Sequence, residues 1–213
     1  MKGRGGSLIA LLLTAALLVG ALLLWRVSQE ATAAPAARPN RHKLKWNGLA
    51  QPVALNAAQA RAAERVAQWA EDAYLFKAEA TWRPPEDMLT AKQLPLAWSF
   101  YYYSASQAKV AIVEINGEKV FWAPPVALAN SPTTLEHFPP QHGVESAWLS
   151  FRAAGGEELL KSHTDALVQY QLRQATNGRE WTVTAFHKEG TFEVIVNADT
   201  GLVQSKINTS TQE

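Results

Sequence analysis

Five histidines, five tyrosines, eight tryptophans and no cysteine bound the chemistry that this 213-residue chain can carry. The lack of cysteine removes a thiol nucleophile, a disulfide framework, a cysteine-bound zinc and a lipidated-cysteine anchor. Of the histidines (His42, His137, His142, His163 and His187), only His137 and His142 are close in sequence, separated by Phe138-Pro139-Pro140-Gln141. That spacing fits no zinc motif such as H-E-x-x-H, so both are assigned to a loop. Serines occur without a G-x-S-x-G elbow, and no glycine-rich phosphate loop is present. Adjacent acids stand at Glu71-Asp72, Glu86-Asp87 and Glu157-Glu158. Glycoside hydrolysis uses two carboxylates about 5–9.5 Å apart, but neighbouring acids in polar segments read as solvated faces. No catalytic, cofactor-binding or metal-ligating residue is therefore assigned.

Aromatic residues are the remaining candidates. Trp69, Trp98, Trp122, Trp148 and Trp181 sit in amphipathic patterns and are expected in the core. Tyr101-Tyr102-Tyr103 is different, because a strand sends successive side chains to opposite faces and only one face can meet the core. Exposed Tyr and Trp are typical interface anchors, which makes Tyr101, Tyr102, Tyr103 and Trp122 the candidate partner-binding residues.

The elements that position these rings follow from periodicity. Asn56 and Gln59 form a capping pair, and Ala62, Val66, Trp69, Ala73 and Phe76 then recur at spacings of three and four. The spacing predicts one amphipathic helix over 57–79, with Arg61, Glu64, Arg65, Glu71 and Asp72 opposite, ended by Trp82-Arg83-Pro84-Pro85. Three strands are expected at Phe100–Tyr103, Val110–Val113 and Val120–Trp122, with Asn116-Gly117 turning a hairpin. A second unit repeats the order. Val144, Ala147, Trp148 and Phe151 predict a helix that Gly155-Gly156 interrupts or ends, with Leu159-Leu160 a short extension. Strands follow around Val168–Leu172, Trp181–Ala185 and Phe192–Val196, with a turn at Asn177-Gly178. A bend at Ala198-Asp199-Thr200-Gly201 closes the unit, Asp bonding its own backbone and Gly taking positive φ. The result is an internal repeat at roughly 70–80 residues.

Ahead of these units, residues 8–25 form a charge-poor apolar run after a basic head containing Lys2 and Arg4. Eighteen helical residues extend about 27 Å, close to the roughly 30 Å hydrocarbon core of a bilayer. The run exceeds a usual signal-peptide core, which favours an uncleaved anchor, while Ala31-Thr32-Ala33 offers a signal peptidase an A-x-A site. A short basic tail stays inside and a long following domain crosses, placing the remainder outside the cytoplasm. Residues 1–45 carry seven Lys/Arg against one Glu, a net of +6, and the rest carries thirteen basic against eighteen acidic groups, a net of −5. The mildly acidic portion has no nucleic-acid footprint.

Two motifs carry a family resemblance. Trp181 to Gly201, read as WTVTAFHKEGTFEVIVNADTG, resembles the end of a PepSY domain. Tyr101 to Pro125 is similar to the amino-terminal half of the TseB-like cell-wall elongation regulators of Gram-positive bacteria. The first unit departs by ending in Trp122-Ala123-Pro124-Pro125 instead of an Asp-Thr-Gly bend. The resemblance covers about residues 57–207. It implies an α+β fold of two tandem helix-on-antiparallel-sheet (PepSY/cystatin-like) modules after an N-terminal transmembrane helix.

The expected organisation is a cytoplasmic tail (1–7), the anchor (8–25), a basic Ala/Pro linker (26–45), a first module (46–125), a connector (126–142), a second module (143–207) and a polar tail (208–213). By resemblance, the function is non-catalytic regulation of wall elongation at the cell membrane, with a penicillin-binding protein or another envelope protein as partner and no cofactor. An alternative is an NTF2-like or VirB8-like subunit of an envelope assembly, and another is a PepSY-type protease inhibitor. Two separate helix-on-sheet units would support the regulator; one continuous sheet would sink it.

Overall fold

Leu55, Ala58, Ala62 and Val66 lie on one stripe of helix α1 (Leu55–Ala67) and are buried against a sheet. The two alanines are fully covered, so the helix axis sits close to the strands. The computed structural model describes residues 53–82, 95 and 97–210. The expected tail, anchor and linker over 1–45 lie outside the described residues, as do Glu86-Asp87 and the last three residues of the polar tail. Among the described residues no helix is long and apolar enough to cross a membrane.

Helix α1 ends twelve residues earlier than its periodicity predicts. Tyr74–Trp82 is strand β1, so Ala73 and Phe76 are not a continuation of the helical stripe. The chain turns through Gln68 to Ala73, and the Asp72 carboxylate fastens that turn to the neighbouring hairpin. It accepts the Ser106 N–H at 2.7 Å and the Ser104 hydroxyl at 2.8 Å. These bonds, the backbone one first, hold its carboxyl below the usual carboxylate range.

Strands β2 (Ala97–Ser104), β3 (Lys109–Asn116) and β4 (Lys119–Ala127) follow as an antiparallel meander. Helix α2 (Val144–Phe151) then passes through a π-helical turn (Arg152–Gly156) into α3 (Glu157–Ser162), with Gly155 at φ 113° breaking the regular spiral where the glycine pair predicts. Glu157 is bonded to Lys161 and Arg152, which lower its pKa and brace the start of α3. A second meander comprises β5 (Leu167–Ala175), β6 (Gly178–His187), β7 (Gly190–Asn197) and β8 (Val203–Ser210).

The expectation of two separate modules is corrected here. All eight strands form one antiparallel sheet in the order β4-β3-β2-β1-β5-β6-β7-β8. The seam is β1 against β5, paired from Lys77 with Arg173 to Trp82 with Val168. Each half contributes a helical segment and four strands rather than three, and both helical segments cover one apolar core on the same sheet face. Trp98 in β2 and Trp181 in β6 meet at this core with ring centroids 6.3 Å apart, both fully buried. Each indole N–H donates to a carbonyl two residues before the helix of its own half. Trp98 reaches Val53 at 3.0 Å, and Trp181 reaches His142 at 2.8 Å.

Arg179 closes the lower rim. Its guanidinium donates to Asp199, to the His137 carbonyl and to the Glu136 and Pro139 carbonyls at 3.4 and 3.3 Å, pinning the connector to β6. The Arg179 guanidinium first, and its backbone N–H, hold the Asp199 carboxyl below the usual range. A depressed folded-state pKa adds stability that is complete above the unfolded pKa, near 4, and is lost as pH falls through the folded value. Arg179→Met is therefore expected to lose about 1–3 kcal/mol at pH 7 and a smaller amount near pH 2, where protonation of Asp199 removes the ionic part and the bonds to the three carbonyls remain. Urea midpoints at the two pH values measure this.

Candidate binding face of the sheet

Strand alternation leaves a second sheet face outside the core. Along one rank, registered pairs run Phe121, Glu114, Ser99, Glu79, Gln171, Thr182 and Ile195; the next carries Ile112, Tyr101, Lys77, Arg173 and Glu180. Both helical segments lie on the opposite face, and among the described residues no helix covers this one.

Tyr101 stands near its middle, half-buried. Its phenol O–H donates to Glu79 Oε1, Lys77 Nζ lies 3.6 Å from its ring centroid, and Phe76 meets it edge-on at 6.1 Å. Lys77 and Glu79 are themselves paired at 3.0 Å. The aromatic ring is thus held in one orientation by a cation, an anion and a second ring, so little rotamer entropy remains to be lost on docking. Elsewhere the face pairs its charges locally, Arg173 with Glu180 at 3.7 Å and the Thr184 hydroxyl with Glu193 at 3.1 Å.

The four sequence-predicted residues do not form one patch. Tyr102 points into the core at 4% exposure, accepts a bond from Gln59 at 3.5 Å, and has its phenol pushed up to about 12 by burial. Tyr103 shares the face of Tyr101 but is only 3% exposed, because Tyr74 and Ser131 close over it. Trp122 lies on the helix side, edge-on to Trp69 at 5.7 Å with the Arg65 guanidinium 4.5 Å from its ring centroid. Of the four, only Tyr101 is half-exposed on this face, which is closed in part, Thr182 and Thr184 being 8% and 7% exposed. Phe121, 43% exposed at the end of its rank, joins it and was hidden in the sequence because its neighbour Trp122 carries the stronger aromatic signal.

Among the histidines, His137 and His142 remain in the connector, His142 using its carbonyl for Trp181. His163 and His187, 24 residues apart in sequence, are brought ring to ring.

No family model and no curated protein matches the chain. A solved structure with a similar course is a "putative lipoprotein" from Clostridium difficile 630, 10% identical, with a TM-score of 0.47, over 71% of this chain and 93% of that one.

Proposed function

We propose that this chain is a non-catalytic, membrane-anchored extracytoplasmic protein that binds a cell-envelope protein through the sheet face opposite its helices, at Tyr101. The observation that supports this most is Tyr101, a large aromatic fixed by Glu79, Lys77 and Phe76 on a face outside the core. The apolar run over 8–25 supports the tether. Control of wall elongation, with a penicillin-binding protein as partner, requires two separate modules, and the continuous sheet removes that support. The same sheet favours a second reading, a subunit of an envelope assembly held near the membrane by its anchor.

Photo-crosslinking in cells tests the face. A benzoylphenylalanine at position 101 is expected to capture a discrete envelope protein that the same probe at Leu149, 62% exposed on α2, does not capture. Capture of lipid alone, or identical adducts at both positions, contradicts the assignment.

A further inference from the structure

We infer that His163, His187 and Glu189 form a binding site for a divalent transition-metal ion of the zinc class. His163 follows the last residue of α3, and its backbone is fixed on both sides. Its N–H donates to the Leu159 carbonyl at 2.8 Å, and its carbonyl accepts the Ala166 N–H at 3.0 Å. His187 ends β6 and Glu189 sits in the short turn to β7, where His187 pairs with Gly190. Two distant segments thus deliver two imidazoles and one carboxylate to a single point.

The donor atoms are near enough to be drawn onto one ion. One donor atom from each residue lies within 4.8 Å of the other two, the imidazole rings stand 4.2 Å apart, and His163 Nε2 is 3.9 Å from Glu189 Oε2. Ligand atoms about 2.0–2.1 Å from a tetrahedral zinc are roughly 3.3 Å from each other, so donor separations must shorten by up to about 1.5 Å and the two imidazole rings must open apart so that their nitrogens converge. Glu189 is 77% exposed and free to make that shift by rotating its side chain.

The second observation is independent of the clustering. Both ring nitrogens of His187 are shut off from solvent and have no hydrogen-bond partner among the described residues. Buried polar atoms are nearly always satisfied, and a neutral imidazole offers one nitrogen as donor and the other as a lone pair suited to a metal. Coordination would give the lone pair its partner. Two histidines and a carboxylate leave a fourth position for water, and imidazole donors select zinc, copper or nickel over calcium or magnesium. This assignment does not depend on the binding face, which lies elsewhere in the fold.

Titration of the untagged full chain in detergent with zinc chloride tests it, with Co2+ absorption as a second reading of geometry. One ion per chain and a tetrahedral cobalt spectrum are expected. His163→Ala and His187→Ala are each expected to weaken zinc by at least about 100-fold, no less than the 10–100-fold that loss of a mere supporting partner costs. His137→Ala/His142→Ala should bind as wild type. Circular dichroism checks that each variant folds, and X-ray absorption of the zinc-loaded wild type, which needs no variant, should show two imidazole ligands. The inference is overturned by absence of stoichiometric uptake, by unchanged affinity in folded His163→Ala, or by loss confined to the His137/His142 variant.

Discussion

Trp181→Ala should bring the protein close to unfolding. The side chain is fully buried at the point where the two halves of the sheet share their core. Truncating a buried Trp costs about 3–5 kcal/mol, and the His142 carbonyl would lose its indole partner, adding about 1–3 kcal/mol if it stays dry. Total stabilities are only about 5–15 kcal/mol. For a domain of this size each kcal/mol moves the melting temperature by about 2–4 °C, so calorimetry should show a fall of roughly 10 °C or more. Trp98→Ala should behave alike, since its indole holds the Val53 carbonyl in the same relation to α1. Because the rings touch the same core region, the double variant should lose measurably less, or more, than the sum of the singles. Additive losses would mean that the halves are packed independently.

Gly190→Ala should detach the last strand. Gly190 has φ 151°, and a Cβ there would stand 1.9 Å from the Thr209 carbonyl oxygen and 2.9 Å from its carbon. Both atoms are backbone in β8, so no rotamer change relieves the overlap and the Gly190–Ser210 pairing must open. Strain at the dihedral and overpacking against backbone together cost about 3–5 kcal/mol. Hydrogen exchange should show protection lost over Val203–Ser210 while β5 and β6 stay protected. Gly117→Ala is the control, with φ 55° but nothing within 4 Å of the added carbon, and should cost about 1 kcal/mol. Equal effects at the two positions would show that backbone conformation alone, and not the approach of β8, sets the cost.

Much of the strand content is legible from alternation. Trp98, Phe100 and Tyr102 face the core, as do Val168, Tyr170, Leu172, Trp181, Val183, Phe192 and Val194. The hairpin at Asn116-Gly117 is where it was expected, although Asn116 pairs with Lys119 and the positive φ falls on Gly117 without Asn116. The final bend is also in place, but the side chain that caps it is Asn197, which accepts the Asp199 and Thr200 N–H groups, while Asp199 is taken by Arg179.

What was not legible is β1. In YLFKAEATW, Leu75, Ala78 and Ala80 reach the core, but a register shift between Leu75 and Lys77 breaks the two-residue alternation. Ala73 and Phe76 happen to continue the helical spacing of α1, so the local pattern points to helix and pairing with β2 and β5 overrides it. The seam lies on that strand, and without it the two similar halves read as two bodies. The candidate site suffered in the same way. Three consecutive tyrosines say that both faces are aromatic, but only tertiary packing tells that Tyr103 is closed over and that Tyr101 is held by Glu79 and Lys77 of the unseen strand.

The most direct test of the binding face is the affinity of the full chain for the envelope protein captured at position 101. Tyr101→Ala should weaken it by about 30-fold or more, the cost of removing an anchoring aromatic, while Leu149→Ala leaves it within about twofold. Equal affinity of wild type and Tyr101→Ala would contradict the account.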